Sequence, residues 1–389
     1  MTSLAYLDHA ATTPMRPEAV EAMLPFLTER FANPSGSHGA SRDARRGVDE
    51  ARDIVAEALG GAPGEVVFTG CGTEADNLAV LGTVRRHGGV AVCPAAEHHA
   101  VLHAVEHVHG RVVAVDAAGA VDLDALADAL DESVRVVSVM AVNNEVGTIS
   151  PLAEVAAVVR ERAPGAVLHT DAVQGLQWLD LAVAAADFDL VAVSAHKFGG
   201  PKGVGALLVR GNTSVEPLLM GGGQERDRRS GTHNVAGIVA MAEAMRVTVA
   251  TRTETVARVQ ALRDRLVDGL VAQVPGLRET VPRDRKVAGS AHVCVEGVEN
   301  ESLLFLLDRG GVCASAASAC SSGAMDPSHV LAAMGVPREV AGGALRLSLG
   351  WASRDEDIDR VLEVLPAAVQ RLQPERPERP GAGVGVPVA

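Results

Sequence analysis

The chain has 389 residues, of which 47% are hydrophobic and 22% charged, a balance that is typical of a globular protein with a large core and excludes a fibrous or disordered chain. Its 35 Lys and Arg against 49 Asp and Glu leave a formal net charge of −14, which disfavours direct contact with nucleic acid. Because the sequence has neither an apolar run of roughly 18 residues nor a signal-peptide pattern, we expect no membrane contact and a cytoplasmic location.

Seven short apolar runs in the first two thirds of the chain predict strands that are covered on both faces. They lie at 65–69, 89–93, 111–115, 135–141, 166–169, 190–194 and 205–209. Between them, apolar residues at helical spacing predict helices, for example over 50–59, 122–130 and 152–162. This alternation favours an α/β fold with a mostly parallel sheet and helices on both of its faces.

The last third of the chain has a different pattern. Residues 235–274 predict one long helix, which we interpret as the connection between two domains. The apolar runs at 290–295, 303–307 and 344–349 then suit a smaller α+β domain, closed by a helix over 354–372. The segment from 374 to 389 is rich in Pro and Gly, and we expect it to be disordered.

Two polar motifs stand at the ends of predicted strands, where α/β folds bind ligands. Lys197, in the motif SAHK, is a candidate for a Schiff base to a carbonyl group or to pyridoxal phosphate, because desolvation lowers the pKa of an amine. Asp171 could pair with the protonated pyridine nitrogen of that cofactor, and Gln174 could reach its ring hydroxyl. Taken singly, Lys197 could be a surface residue in a turn and Asp171 a helix cap. Together they indicate a cofactor site.

Further candidates carry weaker signals. The loop before Thr73 predicts an anion cradle of backbone N–H groups, although a plain helix cap has the same pattern. The Gly-rich segment 221–232 could add another phosphate donor. His98 could stack on a flat ring or be an ordinary solvated histidine. Arg346 could bind a substrate carboxylate through two hydrogen bonds or be an exposed strand residue.

The five cysteines are odd in number and show no C-x-x-C spacing, which argues against a disulfide framework or a structural zinc site. We therefore expect any functional cysteine to be a free thiol. Cys320 belongs to a run of small residues, 313–323, which predicts a mobile loop that can carry a thiol between a buried site and solvent. Cys313, at the strand end before this loop, is the rival nucleophile.

The chain resembles the cysteine desulfurases of the NifS/IscS type, which belong to the class V aminotransferase group of fold-type I pyridoxal-phosphate enzymes. The motifs that carry the resemblance are, in order, YLDHAATTP, FANPSGSH, FTGCGTEADNLAV, EHHAVL, VSVMAVNNEVGTI, HTDAVQ, SAHKFGGPKGVGALLV, GGGQERDRRSGTHN, SACSSG, DPSHVLAAMG and LRLSLG. It implies a large domain, 15–255, with a mostly parallel seven-stranded sheet. A smaller domain would comprise 1–14 and 256–373, followed by the tail 374–389.

The resemblance also implies roles for individual residues. The implied contacts to pyridoxal 5′-phosphate are Lys197, which would hold it covalently, Asp171, Gln174, His98, Gly72, Thr73, Asn144, Ser194, His196 and, from the second subunit of a homodimer, Thr232. The implied contacts to the substrate carboxylate are Asn33 and Arg346. The implied catalytic residues are Cys320, Lys197 and His98, and Cys313 does not match the family's catalytic cysteine.

The implied reaction converts L-cysteine to L-alanine and leaves the sulfur on Cys320 as a persulfide. Acceptor proteins would then take the sulfur for iron–sulfur clusters or for the sulfuration of thio-cofactors, tRNA or DNA. The alternatives are a selenocysteine lyase or cysteine-sulfoxide-type lyase on the same fold, an aminotransferase, and a docking platform for a sulfur acceptor. An aminotransferase would have no evident need for Cys320.

Overall fold

The computed structural model describes residues 4–211, 213–316 and 328–373. The strands in these ranges are β1 (Ala5–Tyr6), β2 (Val66–Thr69), β3 (Val90–Pro94), β4 (Arg111–Val113), β5 (Val134–Ser138), β6 (Val167–Asp171), β7 (Leu190–Ser194), β8 (Gly205–Val209), β9 (Leu277–Glu279), β10 (Ser290–Val295), β11 (Val312–Cys313) and β12 (Ala344–Ser348). The helices are α1 (Pro17–Thr28), α2 (Gly39–Leu59), α3 (Gly72–His87), α4 (His99–His107), α5 (Leu123–Asp128), α6 (Leu152–Arg162), α7 (Leu181–Ala184), α8 (Val235–Gln273), α9 (Asn300–Arg309), α10 (His329–Ala333), α11 (Arg338–Ala341) and α12 (Asp355–Leu372).

The larger sheet has seven strands in the order β2-β8-β7-β6-β5-β3-β4. β8 pairs antiparallel with both β2 and β7, and the other pairings are parallel. The predicted α/β fold with a mostly parallel seven-stranded sheet is confirmed, and each of its strands overlaps one of the seven apolar runs. The carboxyl ends of β2, β3, β5, β6 and β7 therefore share one edge of the sheet.

Both faces of this sheet are covered because its strands are apolar on both sides. Val66 and Phe68 of β2 belong to the core cluster that includes α2 and the first half of α8, whereas Val67 between them belongs to the cluster with α3. Successive side chains of a strand point to opposite faces, so this alternation places α2 and α3 on opposite sides of the sheet. The result is the three-layered arrangement of an α/β protein.

A second, smaller sheet is antiparallel, with the order β12-β10-β9. It packs with α9, α12 and the second half of α8 around its own core cluster. The long helix predicted over 235–274 is confirmed as α8, and its residues Ile238 and Leu266 lie in different cores. The division of the chain into domains at 15 and 256 stays a prediction, and the tail 374–389 lies outside the described residues.

The segment between β1 and α1 connects the two sheets. β1 pairs in parallel with β11, and Asp8 forms a bridge with Ser348 at the end of β12. Five residues later, the N–H of Thr13 donates to the carbonyl of His196, which follows β7. The segment therefore spans from the smaller sheet to the ligand-binding edge of the larger one.

Across residues 4–211, 213–316 and 328–373, none of the helices combines the length and the apolar character needed to cross a bilayer.

Candidate active site

A cavity of about 350 Å³ opens at the edge of the larger sheet where β6 and β7 end. Most of the residues predicted for the site line it. These are Gly72, Thr73, His98, Asn144, Asp171, Gln174, Ser194, His196, Lys197 and Arg346. They come from widely separated parts of the sequence, and the parallel strands bring them together because their carboxyl ends meet at one edge.

Asp171 is the last residue of β6 and is 4% exposed. Its Oδ1 accepts a hydrogen bond from the N–H of Val173 at 2.9 Å. Burial raises the pKa of Asp171 to about 6, although the bond from Val173 and the charge of Lys197 act in the opposite direction. A cation placed against this carboxyl group would stabilise its ionised form.

Lys197 closes a short 3₁₀ turn, Ala195–Lys197, directly after β7. Its Nζ donates to the carbonyl oxygens of Ala10 at 2.5 Å and Ala11 at 3.0 Å. Nε2 of Gln174 donates to the same Ala10 oxygen at 2.8 Å. The segment that follows β1 therefore forms one wall of the cavity and holds the lysine amine inside it.

Two histidines of the cavity are neutral at physiological pH. Burial lowers the pKa of His98 to about 4, helped by the positive charge of Lys197. Burial likewise lowers the pKa of His196 to about 4, again with Lys197 as the next cause. Nδ1 of His98 accepts from the N–H of Ala100 at 3.2 Å, which fixes the imidazole at the start of α4. A neutral, fixed ring is suited to stacking on a flat ligand.

The beginning of α3 provides the features of an anion site. A Cβ atom on Gly72 would lie only 2.8 Å from Cγ2 of Val173, so this position leaves its backbone open to the cavity only as glycine. Within the described residues, the buried Oγ of Ser194 has no hydrogen-bond partner. An unsatisfied hydroxyl beside a helix N-terminus fits the phosphate group of a ligand, because both supply hydrogen-bond donors to an anion.

Arg346, on β12, brings a guanidinium group from the smaller sheet to the cavity and is 6% exposed. Its Nη1 donates to the carbonyl of Asn144 at 2.9 Å, and its Nη2 donates to Oδ1 of Asp8 at 2.8 Å. In the part of the chain that the structure describes, its Nε and the Oδ1 of Asn144 are buried without a partner. The guanidinium can therefore exchange one carboxylate, that of Asp8, for another.

Sequence reasoning missed a cluster of buried polar residues, of which Asp76 lines the cavity. Oδ1 of Asp76 lies 3.6 Å from Nε2 of His169, whose Nδ1 is 2.8 Å from Oγ of Ser138. Burial, together with Asp171 and Glu97, raises the pKa of Asp76 well above its usual range. Asp76 lies one helical turn after Gly72 on α3, and this i, i+4 spacing was the signal that could have revealed it.

Four predicted or competing residues do not line the cavity or cannot be placed. Asn33 is exposed, and its Oδ1 accepts from the N–H of Ser35 at 3.0 Å. Thr232 is exposed and is not part of the cavity wall. Cys320 lies outside the described residues. Cys313, at the end of β11, is partly buried, which raises the pKa of its thiol.

Comparison with known proteins places the whole fold in one family. Residues 5–361 match the family model for aminotransferase class-V. An IscS-like cysteine desulfurase of Mycobacterium tuberculosis (strain ATCC 25618 / H37Rv) is 47% identical, covering 95% of this chain and 97% of the relative. A cysteine desulfurase IscS of Methanosarcina thermophila is 42% identical, covering 96% and 94%. A solved NifS-like protein superposes with a TM-score of 0.89 at 34% identity, covering 95% of this chain and 100% of that one.

Proposed function

We propose, from the premise that the chain belongs to the aminotransferase class-V family and is a cysteine desulfurase, that its cavity binds pyridoxal 5′-phosphate and L-cysteine and that Cys320 receives the sulfur. The observation that carries this proposal is the meeting of Lys197, Asp171 and the unpartnered Ser194 hydroxyl in one cavity. These groups match the aldehyde, the pyridine nitrogen and the phosphate of the cofactor.

The residues that would hold the cofactor fall into three groups. Lys197 would link to its aldehyde, Asp171 would face the ring nitrogen, and Gln174 and Asn144 would contact polar substituents of the ring. A neutral His98 would stack on the ring without placing a second positive charge beside the pyridinium. The phosphate would bind to Gly72, Thr73, Ser194 and His196. When bound, the cofactor supplies an electron sink that stabilises negative charge at the substrate carbons.

The substrate carboxylate would bind to Arg346, with Asn33 as a second contact. The guanidinium of Arg346 already holds a carboxylate, that of Asp8 at 2.8 Å, in a buried position. Exchange of Asp8 for the carboxylate of L-cysteine keeps this guanidinium paired and orients the substrate between the two sheets.

The sulfur transfer balances with the two thiols alone. The bond between the β-carbon and the sulfur of L-cysteine breaks, and a sulfur–sulfur bond to Cys320 forms. The two sulfur atoms are each oxidised by one electron, and the β-carbon, reduced by two, takes up a proton to become the methyl group of alanine. The persulfide on Cys320 would then pass its outer sulfur to an acceptor protein.

We further propose a cytoplasmic homodimer in which Thr232 of each subunit contacts the cofactor phosphate of the other. The exposure of Thr232 outside its own cavity supports this arrangement. Acceptor proteins are favoured over direct contact with nucleic acid because the formal net charge is −14.

The proposal is tested at Lys197. Borohydride reduction of freshly purified protein, followed by digestion and peptide mass analysis, should find a pyridoxyl adduct on this residue. An unmodified Lys197 in yellow, active protein would contradict the proposed cofactor site. The same digest gives the matched control, because Lys202, in the loop just after Lys197, should carry no adduct.

Substitution of the proposed sulfur acceptor gives a second test. Cys320→Ala should retain the visible absorbance of the bound cofactor but should form no persulfide with L-cysteine. Cys313→Ala is the matched control and should still form it, since this thiol lies outside the cavity. If Cys320→Ala releases alanine at the unsubstituted rate in the presence of a reductant, the assignment of Cys320 is wrong.

A further inference from the structure

The loop between β8 and α8 contains a backbone conformation that ordinary residues rarely adopt. Glu225, Arg226 and Asp227 have φ values of 51°, 56° and 63°, so three successive non-glycine residues are in the left-handed region. Such a conformation persists only where the surrounding contacts enforce it. Thr232, proposed above as the contact to the second subunit, follows five residues after Asp227.

Glu225 enforces this conformation from a buried position. It is 6% exposed, whereas Arg226 and Asp227, which follow it, are exposed. Arg52 of α2 binds its carboxylate with both Nη atoms, at 2.8 and 2.7 Å. The N–H of Phe68 on β2 donates to Oε2 at 2.9 Å, and Nε2 of His233 lies 2.7 Å from Oε1. Burial raises the pKa of Glu225, but the hydrogen bonds from Arg52 and His233 outweigh this effect and lower the pKa to about 2, so the Glu225 carboxyl group is ionised.

A second contact fixes the loop four residues later. Nε of Arg229 donates to Oε1 of Glu74 at 2.7 Å, and Oε2 of Glu74 accepts from the N–H of Gly70 at 2.7 Å. Glu74 and Gly70 belong to the anion cradle at the start of α3. The loop is therefore fixed to the larger sheet and α2 through Glu225 and to the cradle through Arg229.

Thr232 lies just beyond these fixed points and directly before His233, which binds Glu225. On its other side, the Asn234 side chain caps α8 by accepting from the N–H of Gly237 at 3.1 Å. Side-chain contacts thus fix the backbone within three residues before Thr232 and within two residues after it, while Thr232 itself is exposed. This is the geometry of a side chain presented at a fixed place outside its own subunit.

We propose that Glu225 is a positioning residue that holds Thr232 in reach of the cofactor phosphate of a second copy of this chain. The inference rests on the cofactor and homodimer of the proposed function. It goes beyond them by assigning the presentation of Thr232 to the buried cluster of Glu225, Arg52 and His233. Its consequence is specific: a substitution of Glu225 weakens cofactor binding in the partner's site and leaves the site of its own subunit intact.

Two mixed dimers test this consequence, each containing one Lys197→Ala and one Glu225→Gln substitution. In the first, both substitutions are on one subunit, so the intact Lys197 of the other subunit faces the altered loop. In the second, they are on different subunits, so the intact Lys197 faces an unaltered loop. Pyridoxal phosphate is titrated into each apo dimer, and the pyridoxyl adduct on Lys197 is quantified by mass analysis after borohydride reduction.

We expect the half-saturating concentration of pyridoxal phosphate to rise roughly tenfold in the first dimer, because one hydrogen bond to a charged group is lost. In the second dimer it should stay at the value of the unsubstituted protein. Because both dimers carry the same substitutions, a general loss of stability would affect them equally. Equal affinities in the two dimers, or weakening only in the second, would each overturn the inference. Absence of the adduct from the unsubstituted protein, or sedimentation of that protein as a monomer, would instead contradict the proposed function.

Two further variants separate positioning from mere stability. Thr232→Val in place of Glu225→Gln should give the same difference between the two dimers. When both substitutions are on one subunit, cofactor binding should be no weaker than with Thr232→Val alone, because the two substitutions remove the same contact. Additive effects would overturn the inference. Glu243→Gln, which removes the partly exposed ion pair with Arg246 on α8, is the matched control and should change neither dimer.

Discussion

Individual residues in the cavity show how burial prepares a site for a cationic ring. Burial raises the pKa of Asp171 to about 6 and raises those of Asp76 and Glu97 well above their usual range. At Asp171 the N–H of Val173 and the nearby Lys197 act against this shift, and at Glu97 the N–H of Met140 does so. Both Asp171 and Asp76 line the cavity, and a pyridinium placed against Asp171 would stabilise its charged form.

The guanidinium of Arg346 supplies a prediction at the same scale. Arg346→Lys keeps a positive charge but loses the planar fork that can bind a carboxylate through two nitrogens. We expect the KM for L-cysteine to rise about tenfold, corresponding to about 1.4 kcal/mol, while the visible absorbance of the cofactor is retained. Steady-state alanine formation measures the change.

Arg265→Lys provides the control, since Arg265 forms a partly exposed ion pair with Asp355 and neither residue lines the cavity. It should leave the KM unchanged. An unchanged KM in Arg346→Lys as well would show that this arginine does not bind the substrate.

Several cavity residues could be predicted from the sequence and others could not. Lys197 and Asp171 stand at the ends of apolar strands, so local pattern alone marked them. Asp8 and the carbonyls of Ala10 and Ala11 could not be found in this way, because they reach the cavity through the pairing of β1 with β11, a contact between residues more than 300 positions apart. Asn33 and Thr232 remain predictions, since their roles need a second subunit or a bound substrate.

At the scale of secondary structure, the apolar runs were enough to predict the sheet. Strands buried on both faces are continuously apolar, as in the larger sheet. The runs that predicted β10 and β12 of the smaller sheet instead alternate apolar residues with polar ones such as His292 and Arg346, although both strands are buried. The sequence did not predict α1, in which Val20, Leu24 and Leu27 are exposed and blur the helical pattern. The two-residue strands β1 and β11 are too short to leave a pattern, so only the structure reveals them.

The start of β8 gives a prediction for an element. Gly205 pairs with Ser194 and Thr69, and a Cβ atom on it would lie 2.7 Å from the carbonyl oxygen of Val193 and 2.8 Å from the backbone of Cys71. Gly205→Ala should push β8 away from the anion cradle. We expect a loss of about 1–3 kcal/mol in the free energy of unfolding and weaker cofactor binding.

Urea unfolding and cofactor titration measure both effects. Gly165→Ala is the matched control, because Gly165 is exposed and its added methyl group would meet open space. It should change the free energy of unfolding by no more than about 0.5 kcal/mol. Equal stabilities of the two variants would contradict the close approach of β8 to the cradle.

At the scale of the whole molecule, α8 belongs to both hydrophobic cores, and the cavity lies where residues from both sheets meet. Lys197, Asp171 and Gly72 come from the larger sheet and its helices, and Arg346 comes from the smaller sheet. The geometry of the site therefore depends on the stability of both cores. Conditions that weaken either one should affect cofactor and substrate binding together.

The buried histidine of the smaller sheet predicts how global stability responds to acid. Burial lowers the pKa of His292 to about 3, with Arg346 and Lys286 adding to the shift. The unfolded chain binds a proton at this residue near pH 6.5, whereas the folded chain does not until about pH 3. The stability that His292 contributes is therefore present above pH 6.5 and is lost progressively as the pH falls below it.

His292→Gln should remove this dependence. Between pH 6.5 and pH 5, we expect the free energy of unfolding of this variant to fall less steeply with pH than that of the unsubstituted chain. The two slopes should differ by on the order of 1 kcal/mol per pH unit. Urea unfolding at several pH values measures the slope. His107→Gln, at an exposed position on α4, should keep the original slope, and the prediction fails if His292→Gln keeps it too.

The wall that the residues after β1 contribute to the cavity has a consequence for biosynthesis. Ala10 and Ala11 emerge early from the ribosome, but β1 can join β11, and Asp8 can join Arg346, only when most of the polypeptide has been translated. The larger sheet can form before then, as domains generally do during synthesis. A nascent chain in which Lys197 has already been synthesised would thus still lack a closed cavity. Stable binding of the cofactor therefore has to follow the synthesis and folding of β12.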